Sequence, residues 1–136
     1  MMVASGELRV AVTRLSRKLR AQNPFPSLAQ AAVLGHLFDD GPKTTSWLAA
    51  AERVRAQSMA QVIRDLEVAG LVTRRPDHVD RRQVIVEITP SGCEALMEDR
   101  HRRDEWFTQV ISELFTPKER ALLLGAIPLL ARLGAP

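Results

Sequence analysis

Apolar residues recur every three or four positions along much of the chain, the spacing that gathers them on one face of a helix. Leu8, Val12, Leu15 and Leu19 do so between Arg9, Arg14, Arg17, Lys18 and Arg20. This predicts an amphipathic helix over about 5–22, stopped at Asn23-Pro24. Ser27 with Gln30 three residues on predicts a capping box. Ala31, Val33, Leu34, Leu37 and Phe38 make the helix that follows apolar nearly all round, hence central, and Asp39-Asp40-Gly41-Pro42 ends it. A short third helix is predicted from a Ser46 cap to about residue 54, with Trp47, Leu48, Ala51 and Val54 inward. After a brief break at Arg55-Ala56, a fourth is predicted over 57–69. Its inward set is Met59, Val62 or Ile63, and Leu66, and Gly70 suits the left-handed position past its end.

The period then changes. Residues 71–75 read as a short strand, 76–82 as a polar turn, and 83–89 alternate as a second strand, closing a hairpin whose long loop should project. Thr89-Pro90 opens a long helix to about residue 115, carrying Ala95, Leu96, Trp106, Val110, Ile111 and Leu114 around a charged middle, 98–105. Thr116-Pro117-Lys118-Glu119 predicts another capping box. The helix behind it is rich in leucine up to Leu133, and Pro128 is expected to kink it. There is no internal repeat. The fold class is mainly α with a small β-hairpin wing: a winged helix-turn-helix over about 27–89 between terminal helices at about 5–22 and 90–133. The whole chain, 1–136, reads as one domain. The outer helices have too few neighbours in so small a module to cover their apolar faces, so self-association is expected.

Composition narrows the class. The chain has 136 residues, 46% hydrophobic and 26% charged, an ordinary globular balance. No apolar run reaches about 18 residues, and residues 1–6 lack a signal-peptide pattern, so no membrane partner and a cytoplasmic location are expected. A single cysteine, Cys93, excludes an intrachain disulfide and a multi-cysteine metal site. The net charge is only +3, but Lys43, Arg53, Arg55, Arg64, Arg74, Arg75, Arg81 and Arg82 fall in one central stretch. On charge alone, a solvated basic face and a phosphate-binding surface are equally open.

The fourth helix adds pattern to charge. Gln57, Ala60, Gln61 and Arg64 recur on the side away from Met59, Ile63 and Leu66, with Ser58 at its edge. Amides can pair with adenine edges, arginine can fork onto guanine, and a small residue permits close approach in a major groove. Glutamine and arginine are also good helix formers, so a plain solvated face has the same look. The hairpin tip carries Arg81 and Arg82, suited to a narrow minor groove, with Asp77 or Asp80 able to pair with one of them. Ser46, Arg74, Arg75 and His78 complete the candidate DNA-binding set. His36, His78 and His101 lack metal-ligand spacing, and neither a phosphate loop nor a catalytic triad is evident; no metal, cofactor or enzymatic activity is expected. Cys93 sits at a helix start, where a dipole can lower a thiol pKa, but a half-buried inert thiol has the same sequence context.

The stretch 48–92, LAAAERVRAQSMAQVIRDLEVAGLVTRRPDHVDRRQVIVEITPSG, resembles the MarR (multiple antibiotic resistance regulator) family of bacterial winged-helix regulators. The resemblance rests on the QSM…DLE..GLV.R run and on the DRR wing followed by ITPSG. It departs from the family at Ala56 and His78, where proline is frequent. It implies a homodimer on an inverted-repeat operator in double-stranded DNA, acting as a transcription regulator and in most cases a repressor. The helix over 57–69 would enter the major groove and Arg81 and Arg82 the minor groove. It also implies a small aromatic or lipophilic effector, for which Arg17, His36 and Trp106 are the candidate contacts.

Overall fold

Several helices in this protein begin where a short hydroxyl side chain can take up N–H groups that the first turn leaves free. The computed structural model describes residues 1–135. In it, α1 (Met2–Gln22) ends at Asn23, and α2 (Leu28–Asp40) starts with the predicted capping box. Ser27 Oγ accepts from the Gln30 N–H at 3.1 Å, and Gln30 Oε1 accepts from the Ser27 N–H at 2.7 Å. Gly41, with φ 82°, ends α2.

The next segment corrects the sequence reading. Lys43–Thr44 forms a strand, β1, which the apolar pattern is too short to reveal. Because β1 holds the chain against the sheet, helix α3 (Thr45–Ala51) starts earlier than expected, and its cap is Thr44, whose Oγ1 accepts from the Trp47 N–H at 3.0 Å. Ser46 therefore lies inside the first turn. Its buried residues are Leu48 and Ala49, while Trp47, Ala51 and, beyond the helix, Val54 are exposed, which corrects the expected inward set.

Between α3 and α4 (Ala56–Val68) the break spans Glu52 to Arg55 rather than Arg55-Ala56 alone. Arg53 takes a left-handed φ of 53° there. The Val54 N–H donates to the Ala49 carbonyl and the Arg53 N–H to that of Ala50, the paired bonds of a Schellman cap. The same pair of bonds closes α4 around Gly70, φ 77°, with Leu71 N–H to Leu66 O and Gly70 N–H to Glu67 O, both 2.9 Å.

β2 (Val72–Pro76) and β3 (Val84–Ile88) pair antiparallel, Val72 opposite Ile88 and Pro76 opposite Val84, and β1 joins the other edge of β3. The wing thus rests on a three-stranded sheet rather than a bare hairpin. Val33, Leu34 and Leu37 from α2, Leu48 from α3, Met59, Ile63 and Leu66 from α4, and Leu71, Val72 and Val86 from the sheet region make one core. Each fully buried large side chain stabilises the fold by about 1.5–3 kcal/mol. Phe38, expected in this core, is exposed instead, with the Arg100 guanidinium over its ring at 5.9 Å.

The chain divides into two compact units, Met1–His101 and a second beginning at Arg102. Helix α5 (Pro90–Leu114) contributes to both. In the first unit Leu96 enters the core, and the buried Asp99 accepts from Asn23 Nδ2 at 2.7 Å, tying the end of α1 to α5. In the second, Thr116 and Glu119 form the expected capping box at the head of α6 (Pro117–Leu133), which stays helical through Pro128. Neither α1 nor α6 has a buried residue. No helix among the described residues is long and apolar enough to cross a membrane.

Candidate nucleic-acid interface

Helix α4 buries Met59, Ile63 and Leu66 to within 2% of full exclusion and leaves Gln57, Ser58, Gln61 and Arg64 exposed. Its polar face is organised rather than merely solvated. Arg64 Nη2 donates to Gln61 Oε1 at 2.8 Å, and Gln61 Nε2 donates to Asp65 Oδ1 at 2.9 Å. Asp65 escaped the sequence reading, although a glutamine four residues before an aspartate is the spacing at which such helical pairs bond.

The wing is shaped by its two aspartates. Asp77 Oδ1 accepts from the Val79 N–H and Asp80 Oδ1 from the Arg82 N–H, both at 3.1 Å, making two successive Asx turns. The Asp77 N–H to Gln83 carbonyl bond, 3.0 Å, closes the loop. Asp80 is the partner of Arg82, with Nε to Oδ1 at 3.1 Å, which selects between the two aspartates that the sequence left open. The Arg82 guanidinium, then its backbone N–H, hold the Asp80 carboxyl below the usual carboxylate range. Arg81 and His78 are exposed at the tip.

The remaining candidates fall on the flanks. Ser46 Oγ donates to Gln83 Oε1 at 3.2 Å, joining α3 to the base of the wing. Arg74 Nη2 lies 2.8 Å from Glu67 Oε1 and its Nε 3.0 Å from the same oxygen, which clamps β2 to α4. That hydrogen bond lowers the Glu67 pKa and raises that of Arg74. Arg75 lies 4.0 Å from Glu87 on β3. Nothing in the apolar pattern marks Glu67 as the partner of Arg74, because they meet only after the Gly70 turn.

That turn is the joint between reading helix and wing. Thr89 Oγ1 donates to the Gly70 carbonyl at 2.7 Å and accepts from the Gly92 N–H at 3.0 Å. The Thr89 N–H donates to Leu71 O. A Cβ at Gly92 would come within 2.2 Å of that same Leu71 oxygen, so only glycine fits. The GL…ITPSG residues thus weld the end of α4, the root of β3 and the start of α5 at one point. Cys93, half-buried in the first turn of α5, follows this weld.

The effector candidates have neighbours of their own. Arg17 is exposed on α1. His36 Nε2 is 2.9 Å from Glu52 Oε2, and its ring stands edge-on to Trp47, centroids 5.3 Å apart, with Lys43 Nζ 4.5 Å over Trp47. Trp106, in the second unit, packs edge-on against Phe107.

Three helices, a three-stranded sheet and an arginine wing define a winged helix-turn-helix protein. Residues 27–84 match the MarR family profile, starting at the Ser27 cap and ending in β3. The chain is 40% identical over 131 residues to an uncharacterized HTH-type transcriptional regulator of Mycobacterium bovis, covering 95% of this chain and 91% of that one. A crystal structure of a transcriptional regulator of Pseudomonas aeruginosa PA01 superposes with a TM-score of 0.78 at 34% identity, covering 97% of this chain and 93% of the other. Bordetella bronchiseptica BpsR, whose DNA binding is regulated by 6-hydroxynicotinic acid, is 27% identical with a TM-score of 0.67, over 94% and 98% of the two chains. The protein belongs to the MarR family of winged-helix, DNA-binding transcription regulators.

Proposed function

We propose that this chain is a homodimeric repressor that binds an inverted-repeat operator and is released by a small-molecule effector. One observation carries the DNA reading: α4 buries one face completely and presents Gln57, Ser58, Gln61 and Arg64 on the other, and it is welded to an exposed wing bearing Arg81 and Arg82. In this reading α4 lies in the major groove and the wing arginines enter the minor groove beside it. Ser46, Arg74, Arg75 and His78 flank these and face the phosphate backbone.

The dimer reading rests on uncovered leucine. Leu122, Leu124, Ile127, Leu129 and Leu133 of α6 are 54–71% exposed, too much apolar surface to leave in water. A second copy buries it, and its two-fold axis sets two α4 helices on successive half-sites. A dimer seated over a promoter would exclude polymerase, which favours repression as the sign of regulation. The likeness to BpsR supports a small aromatic effector, with Arg17, His36 and Trp106 as candidate contacts.

The test is retardation of the chain's own promoter fragment over a salt series. Wild type should bind with an affinity that falls steeply with salt. Arg81→Ala/Arg82→Ala should weaken binding broadly and flatten the salt slope, because two cations leave the DNA surface. Absence of retardation even at low salt would overturn the proposal.

A further inference from the structure

Asp65 sits on the exposed face of α4 beside the residue expected to read a base, and a carboxylate there is costly near phosphates unless it does something. The side-chain hydrogen bond its carboxylate makes is to Gln61. A carboxylate only accepts, so the end of the Gln61 amide turned to Asp65 is the NH₂. A guanidinium only donates, so the end turned to Arg64 is the oxygen. The two neighbours impose the same orientation, and because Arg64 is itself read as a DNA contact, the hold on the operator falls to Asp65. Turning the amide over would set NH₂ against guanidinium and oxygen against carboxylate, losing both bonds.

We infer that Asp65 is a specificity-determining residue that fixes which end of Gln61 donates and which accepts. The inference rests on the reading of Gln61 as a base contact. Each amide end keeps one site free: a second N–H on Nε2 and a second lone pair on Oε1. An adenine edge offers N7 as acceptor and N6 as donor, in that order along the groove. An amide of fixed sense and place meets this order at adenine N7 and N6; when the pair is turned round those atoms come reversed, and the like-ordered thymine O4 and adenine N6 lie displaced across the groove. The Arg64–Gln61–Asp65 chain thus chooses A·T over T·A, a distinction that an amide free to turn over makes poorly. Asp65 also lowers affinity for every sequence through its charge, so the two effects separate on substitution.

The experiment is selection of bound duplexes from a randomised operator library by wild type, Gln61→Ala, Asp65→Asn and Asp65→Ala, each checked for an unchanged thermal melt. Asp65→Asn can donate as well as accept, so it releases the amide with little change of shape. In wild type, the base pair whose preference Gln61→Ala removes should show about tenfold discrimination between A·T and T·A. Asp65→Asn and Asp65→Ala should each cut this to about threefold or less at that position, and both, by removing the charge, should also raise binding to all sequences. If Gln61→Ala erases a preference and both Asp65 variants change only overall affinity, the Asp65 assignment is wrong and the DNA reading stands. If Gln61→Ala alters no position, or wild type selects no sequence, the reading of Gln61 itself fails and the inference goes with it.

Discussion

The body built from α2, α3, α4 and the sheet and the terminal helices α1 and α6 carry apolar residues at the same helical spacing, yet they use them in opposite ways. Leu34, Leu48 and Leu66 are wholly excluded from water within one chain. Leu8, Val12 and Leu15 on α1 and Leu122, Leu124 and Leu133 on α6 are 43–71% exposed. Apolar spacing alone therefore specifies that a helix has a face to cover. It does not specify which molecule covers it. The body closes on itself because three capped helices and a sheet converge on one point. Neither outer helix buries a side chain among the described residues.

The largest expected effect separates the two regions. Leu66→Ala leaves a cavity beneath α4 and should cost about 2–5 kcal/mol in urea unfolding, enough to abolish DNA binding at growth temperature. The paired change Leu122→Asp/Leu133→Asp should act on mass instead. In light scattering the protein should fall from two chains to one, with operator affinity down at least about tenfold, because one half-site contact is lost. Its unfolding should lose only the concentration-dependent part of the stability. A double mutant with unchanged mass, or one as unstable as Leu66→Ala, would break the distinction.

A smaller effect sharpens the picture within the body. Hydrogen bonding to Arg74 lowers the folded-state pKa of Glu67. A depressed carboxylate contributes stability that is fully present above its unfolded pKa and is lost as pH falls through the folded value. Glu67→Gln should therefore melt slightly below wild type near neutral pH, with the gap closing as acid passes below about pH 4. A gap that persists or widens in acid would assign the clamp between α4 and β2 to packing rather than charge. Since both side chains are more than a third exposed, the shift should be small.

Much of this was legible before the fold was known, where the signal is local. The capping boxes at Ser27 and Thr116, the Gly70 turn, the proline start of α5 and the polar stripe of α4 each depend on residues within four positions of one another. What failed was what depends on distant partners. The start of α3 slipped to Thr44 because two residues pair with β3 forty positions on. Asp99 looked like one charge among many between Glu98 and Glu105, yet it is buried against Asn23, 76 residues away.

The order of the six helices and the hairpin, the capping boxes at Ser27 and Thr116, the arginine wing and the family could be read from the chain alone, because these follow from spacing and from what each side chain can donate or accept nearby. Which aspartate holds Arg82, that Arg74 bonds Glu67, and that Thr89 and Gly92 weld helix to wing had to come from the folded chain. Each of those contacts requires two segments to arrive at one place, and arrival is set by the packing of the whole core.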